Sequence, residues 1–180
     1  MGNVVVSQMD IEHLALIRKS VQEFIATCAT QHDAEGKILL DIAPQIYQGA
    51  KEFFKKTTLR SLDIDPKANA DYTADLCADN SSTIPAGEFD FILCTEVLEH
   101  TLQPFDAVKE MHRMLKPGGL IFLTVPFNFR IHGPLPDCWR FTEHGLRSLF
   151  RSFEIVSLNA LETQNRDLMP VHYQLVAAKR

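Results

Sequence analysis

Hydrophobic positions recur along this chain with two different periods, and the alternation between them outlines an architecture. Between Asp10 and about Thr30, Ile11, Leu14, Ile17, Val21, Phe24, Ile25 and Cys28 fall at three- and four-residue intervals, the spacing of one helical face. A polar stretch, Gln31 to Gly36, ends that pattern. Lys37-Ile38-Leu39-Leu40-Asp41-Ile42 is then a short apolar run of strand length. Gln48 to Lys56 is expected as a short helix, and Leu59 to Ile64 as a second strand stopped by Asp65-Pro66. A weaker third strand is expected within Asp71 to Leu76, a loop over the turn-rich Cys77 to Glu88, and a fourth strand over Phe89 to Cys94.

The second half repeats the alternation. Pro104 can open a helix, where its missing N–H costs nothing, and Phe105, Val108, Met111, Met114 and Leu115 would form its apolar face. Lys116-Pro117-Gly118-Gly119 should end that helix, with Leu120 to Val125 as the fifth strand. After a loop from Pro126 to Phe141, Thr142 can cap a helix to about Phe150, and Phe153 to Leu158 and Val171 to Ala177 supply two more strands. Strands alternating with helices predict an α/β fold whose largely parallel sheet is covered on both faces. With no internal repeat and no linker, residues 1–36 read as a helix and connector packed on a single domain, 37–180.

Composition narrows the classes. A chain of 180 residues is the size of one domain, and 46% hydrophobic with 23% charged residues is ordinary for a packed core. A net charge of -5 argues against general nucleic-acid affinity, which needs a concentrated basic surface. Cys28, Cys77, Cys94 and Cys138 are scattered without a C-x-x-C pair, so reduced thiols are expected. The first ten residues lack the basic and apolar regions of a secretory signal, Val6 stands where myristoylation wants Ser or Thr, and no apolar run is long enough to span a bilayer. The expectation is a cytoplasmic protein without membrane attachment; no oligomeric state is read.

Chemistry is expected just after the strands. In doubly wound sheets ligands lie outside the carboxyl ends of the strands, and three of those ends carry acids: Asp41, Asp63 and Asp75. A carboxylate at the second strand end can accept both hydroxyls of a ribose. Each Asp taken alone reads equally well as a turn former.

Asp41-Ile42, Leu62-Asp63-Ile64-Asp65, the run Phe89 to His100 ending Val97-Leu98-Glu99-His100, and Leu115-Lys116-Pro117-Gly118-Gly119, taken together and in order, resemble the class I S-adenosylmethionine-dependent methyltransferases. The resemblance covers about residues 37 to 125. It implies a Rossmann-like three-layer sandwich with a seven-stranded, mostly parallel sheet and an antiparallel C-terminal strand, S-adenosylmethionine as cofactor, and direct in-line methyl transfer. By matching positions, Asp63 would bind the ribose hydroxyls, Ile64 would pack on the adenine and Asp75 would meet its amino group. Asp41 and the loop containing Ala43 and Gly49 would hold the methionine portion, and Thr95 would line the reactive end. The expected acceptor is a small molecule, sugars included. For a hydroxyl acceptor, His100 or His132 could take the proton, since imidazole titrates near neutral pH.

One departure supports a different reading. Where the family has D-x-G-x-G-x-G, this chain reads Asp41-Ile42-Ala43-Pro44-Gln45-Ile46-Tyr47-Gln48-Gly49, and Pro44 fixes its own φ and removes a donor. A non-catalytic cofactor-binding or protein-interaction module is therefore the alternative. A nicotinamide dehydrogenase lacks its G-x-G-x-x-G turn, and base amino methylation lacks the D/N-P-P-Y/F motif after the fourth strand. Glu96, Glu99 and His100 also resemble the E-x-x-E-H pattern of small-RNA 2′-O-methyltransferases and some quinone O-methyltransferases, with His132 roughly where the RNA enzymes supply a further histidine. That makes a metal-assisted O-methyltransferase a lesser alternative; no metal ligand is assigned from the sequence. Finally, Asp137-Cys138-Trp139-Arg140-Phe141-Thr142 resembles the D-Y-W-R-F-T segment of a bacterial subgroup. Trp139, Phe141 and Arg140 read equally as substrate contacts or as a loop staple with a structural ion pair.

Overall fold

A computed structural model describes residues 5–44 and 49–180. The leading helix α1 spans Gln8–His32 and starts from a capping box in which the Ser7 hydroxyl accepts from the Asp10 amide and the Asp10 carboxylate accepts from the Ser7 amide. Its C-terminus passes to Asp33, whose carboxylate accepts the amides of Lys55, Lys56 and Thr57 at 2.8–3.1 Å, tying the helix end to the segment that enters the second strand. Then follow β1 (Ile38–Ile42), β2 (Thr58–Asp63), β3 (Tyr72–Thr73), β4 (Phe89–Thr95), α2 (Pro104–Met114), β5 (Leu115–Pro126), α3 (Glu143–Leu149), β6 (Phe153–Leu161) and β7 (His172–Lys179).

The strands form one sheet in the order β3-β2-β1-β4-β5-β7-β6. Strands β3 to β5 run parallel, and β7 is antiparallel to both β5 and β6. Alternate side chains sort the core into two layers, as the pleat requires. Leu39, Phe91, Leu93 and Phe122 pack beneath Phe24, Ile25 and Cys28 of α1, together with Ala50 and Phe54. Leu40, Ile42, Ile92, Cys94, Ile121 and Leu123 face Val108 and Met111 of α2 and Leu146 and Leu149 of α3. Helices thus cover both faces, giving the three-layer sandwich.

Several expected details are corrected. Ile11 lies inside α1 but is 52% exposed; the first half of that helix buries His13 and Ser20 instead. Phe105 is 62% exposed, and Ala107 lies on the inner face of α2 with Val108, Met111 and Met114. The expected helix from Gln48 to Lys56 begins outside the described residues, and its described part is a short 3-10 turn, Gly49–Glu52. The third strand is two residues long, and Ile64 lies beyond β2. The Lys116-Pro117-Gly118-Gly119 run enters β5 as an irregularity: Phe89 pairs with Leu115, and pairing resumes two residues later at Phe91 with Leu120. Gly118 has φ +75°, and a Cβ at Gly119 would meet the Asp90 carbonyl oxygen at 2.9 Å. Asp90 anchors this corner with ion pairs to Lys37 and Lys116 at 2.9 and 2.7 Å.

Candidate functional site

The carboxyl ends of β1, β2, β4 and β5 lie side by side. Ile42 pairs with Leu62 and with Cys94, so Ala43, Asp63 and Thr95 leave the sheet at one level, and Thr95 pairs with Thr124. The order reverses here, with β2 and β3 on one side of β1 and β4 and β5 on the other. That switch point is where an open α/β sheet has its crevice.

The Asp41 carboxylate is buried beneath the first loop, where its Oδ2 accepts the Ala50 amide at 2.8 Å. Burial raises its pKa to about 7, against the single opposing hydrogen bond. Gly49, at φ +48°, crosses directly over this carboxylate, and a Cβ there would collide with Asp41 Oδ2. Ala43 takes φ +50°, the left-handed conformation that a glycine would adopt without cost. Although its glycines are replaced, the loop keeps a glycine-like backbone at Ala43.

The second and third strand ends differ. Asp63 is buried at the end of β2, where its Oδ1 accepts the Asp65 amide at 2.9 Å. Ile64, beside it, is 67% exposed and turned away from the core. Asp75 is exposed and turns back on its own chain, accepting the Cys77 amide at 2.8 Å.

Beyond β4 a second group forms. Glu96 has φ +53° and donates its amide to the Thr124 carbonyl, and a 3-10 turn, Leu98–His100, follows. The Glu99 side chain is wholly buried, and neither carboxylate oxygen has a hydrogen-bond partner. The Nε2 atoms of His100 and His132 each stand 3.7 Å from Glu99 Oε1, and the two rings meet edge to face at 4.9 Å. His100 Nδ1 is bonded to the Pro136 carbonyl at 2.9 Å and His132 Nδ1 to the Arg130 carbonyl at 3.3 Å, so both Nδ1 atoms carry the proton. Both Nε2 atoms face the Glu99 carboxylate.

Two imidazole nitrogens and a buried carboxylate thus converge, an arrangement that suits a shared cation or a proton at its centre. Burial, followed by the nearby Glu96 charge, drives the Glu99 carboxyl well above its ordinary range. Burial lowers the His132 pKa, against the opposing Asp137 charge. Donor atoms of Glu99, His100 and His132 lie within 4.8 Å of one another, a spacing that suits one metal ion.

Glu96 is not in that group. Its Oε1 lies 3.0 Å from Nε2 of His172, a fully buried residue at the start of β7. The expected grouping of Glu96, Glu99 and His100 is therefore replaced by Glu99, His100 and His132. Sequence reasoning missed His172 entirely, because nothing in the local pattern links it to a residue 76 positions earlier.

The loop between β5 and α3 supports this end of the molecule. Arg140 makes a bidentate pair with Asp137 at 2.6 and 2.8 Å, and Trp139 donates its indole N–H to the Thr101 carbonyl at 2.7 Å. Trp139 and Phe141 stack with centroids 6.3 Å apart. The staple and structural ion pair weighed for this segment are therefore both formed.

A three-layer α/β sandwich around a 3-2-1-4-5-7-6 sheet with one antiparallel strand near its edge is the class I methyltransferase architecture. The chain belongs to the methyltransferase domain family, whose model matches residues 12–162. It is similar to the ubiquinone biosynthesis O-methyltransferase of Pseudomonas aeruginosa, 45% identical over 38 residues, which are 21% of this chain and 16% of that protein. A longer match to the protein of that name from Xanthomonas campestris is 32% identical over 85 residues, 47% of this chain and 31% of that one, so the chain spans under a third of the curated relatives it matches. In structure it is similar to the 1,6-didemethyltoxoflavin-N1-methyltransferase of Burkholderia thailandensis, crystallised with S-adenosylhomocysteine, at TM-score 0.64 and 15% identity over 99% of this chain and 93% of that one. At that identity the likeness speaks to the fold. Among the described residues no helix is long and apolar enough to cross a membrane.

Proposed function

We propose that this protein transfers a methyl group from S-adenosylmethionine to a hydroxyl of a small-molecule acceptor, sugars included, with Glu99, His100 and His132 holding a divalent cation beside that hydroxyl. The observation that carries the reading is the buried Glu99 carboxylate, without a hydrogen-bond partner and faced at 3.7 Å by Nε2 of both His100 and His132. Nitrogen and oxygen donors of this kind suit a borderline divalent metal.

The residues at the crevice fit the cofactor. Asp63 would hold the ribose hydroxyls, Ile64 offers an exposed apolar face for the adenine, and the exposed Asp75 would meet its amino group. Asp41, under the close approach of Gly49, would answer the methionine end, and Thr95 would border the reactive centre. S-adenosylmethionine supplies an electrophilic methyl on a sulfonium, so the protein's main work is alignment. A cation at Glu99 supplies positive charge that lowers the pKa of a neighbouring hydroxyl. A histidine that held the cation through Nε2 would have no lone pair left for a proton, so His100 and His132 would position the cation beside the hydroxyl and the hydroxyl's proton would pass to water. The left-handed Ala43 supports this reading over a non-catalytic module, because the replaced glycine loop keeps a backbone suited to close approach.

Calorimetry and a labelled-methyl assay test the proposal together. Wild-type protein should bind S-adenosylmethionine at micromolar Kd and methylate catechol-type or sugar hydroxyls only when Co2+ or Mg2+ is present; Asp63→Ala should lose cofactor affinity. Cofactor binding with chelator-insensitive transfer would reject the cation. Absence of cofactor binding would reject the enzyme.

A further inference from the structure

The Asp137–Arg140 pair remains outside the proposed chemistry, although it lies next to it. The Asp137 side chain is wholly buried. Its Oδ2 accepts the His132 amide at 2.9 Å and lies 3.1 Å from His132 Nδ1. Arg140 completes a brace across the loop: besides its two contacts to Asp137 it donates to the carbonyls of Phe129 at 3.2 Å and Arg130 at 2.9 Å. The Arg130 carbonyl is the group that His132 Nδ1 meets from the other side. The loop is also anchored to the turn that carries Glu99, since the amides of Cys138 and Trp139 both donate to the Glu99 carbonyl, at 2.8 and 3.1 Å.

We infer that Asp137 is a positioning residue: braced by Arg140, it fixes the place and Nδ1-protonated tautomer of His132, so that Nε2 is presented to Glu99 and a cation held there. Four arguments support it. First, His132 sits in a loop of irregular backbone, and without a brace its ring would have rotational freedom that a ligand cannot retain at no cost. Second, the brace closes a ring of contacts, from His132 through Asp137 and Arg140 to the Arg130 carbonyl and back to His132, so the imidazole is constrained on both its backbone and its Nδ1 side. Third, a carboxylate beside the far nitrogen of a ligating histidine raises the basicity of the near one, a partner whose loss typically weakens metal binding about 10–100-fold. Fourth, the Arg140 guanidinium has its donors committed to Asp137 and to loop carbonyls, which leaves it poorly placed to capture an anionic substrate group.

The inference rests on the proposed cation site, and its test separates the two. Asp137→Asn and Arg140→Gln are compared with wild type by calorimetric titration with Co2+, and by the side-chain nitrogen spectrum of 15N-histidine-labelled protein without metal. The expected result is a Co2+ affinity about 10–100-fold weaker in Asp137→Asn, with the His132 signals moving from the Nδ1–H pattern toward a tautomer mixture while those of His172 stay unchanged. Should Asp137→Asn not fold, Arg140→Gln, which leaves the carboxylate in place but unbraced, is expected to show the same His132 change at smaller amplitude. Wild-type Co2+ affinity together with an unchanged His132 spectrum in the folded variant would overturn the inference. If the wild type itself binds no Co2+, the cation reading fails, and the metal-free His132 spectrum alone decides whether Asp137 positions the ring.

Discussion

His172 Nε2 lies 3.0 Å from Glu96 Oε1, so a fully buried imidazole on β7 holds the carboxylate that follows β4. The other ring nitrogen meets Ser20 Oγ of α1 at 3.3 Å, and Gln174 Nε2 donates to that hydroxyl at 2.7 Å. The chain of donors has one consistent direction: Gln174 to Ser20, Ser20 to His172, His172 to Glu96. It links the leading helix to the site end of the sheet.

Replacing His172 by Leu should therefore leave the Glu96 and Ser20 side chains short of partners and cost about 2 kcal/mol. Thermal unfolding would show the loss, and amide exchange near Ser20 should accelerate because α1 loses its polar anchor. Unchanged exchange in α1 would contradict the linkage.

Asp41 sets a pH dependence whose sign follows from its burial. Its folded pKa of about 7 lies above the unfolded value of 3.8, so the folded state retains the proton that the unfolded state releases. The associated stability is complete below about pH 4 and is lost as pH rises toward 7, by up to roughly 4 kcal/mol. Asp41→Asn should flatten this segment of the stability curve in denaturant titrations and raise stability at pH 8. It should also weaken S-adenosylmethionine binding.

Glu99 behaves in the same direction, since its carboxyl is driven upward by burial and by Glu96. Glu99→Gln is expected to make the metal-free protein more resistant to heat at pH 8 than wild type, with the gain disappearing at low pH. The same variant should lose Co2+ binding and methyl transfer. A residue kept only for packing would not show stability and function moving in opposite directions.

Ala43 offers a gain in stability. At φ +50° an alanine carries a penalty of about 1–2 kcal/mol that glycine does not, partly offset by glycine's greater freedom when unfolded. Ala43→Gly should raise the melting temperature by a few degrees and should strengthen cofactor binding if the loop approaches the ligand as Gly49 approaches Asp41.

The sheet was legible in the sequence because buried parallel strands are short apolar runs with sharp punctuation, and Ile38–Ile42 and Phe89–Thr95 are of that kind. Asp63 was legible as a strand end for the same reason, being the residue at which the second run stops. Exposure along a helix was harder to read. Periodicity groups Phe105 with Met111, but which edge of the stripe is covered depends on where the sheet ends, and Phe105 falls outside it. The partners of Glu96 and His132 were not legible in local spacing. Glu96 turns to His172 because a left-handed backbone reorients it after the strand, and His132 reaches Glu99 because Asp137 and Arg140 fold the intervening loop. These are tertiary facts with no local period.

The antiparallel return of β7 has a consequence for the order in which the site is assembled. During synthesis, the crevice carboxylates and the Glu99–His100–His132 group leave the ribosome well before His172, and β7 then enters between β5 and β6. Until it does, Glu96 lacks its imidazole partner and Ser20 on the leading helix lacks its contact with the sheet. A nascent chain would thus carry every proposed ligand of the cation while its leading helix still lacked this anchor, and β7, emerging later, would join the two.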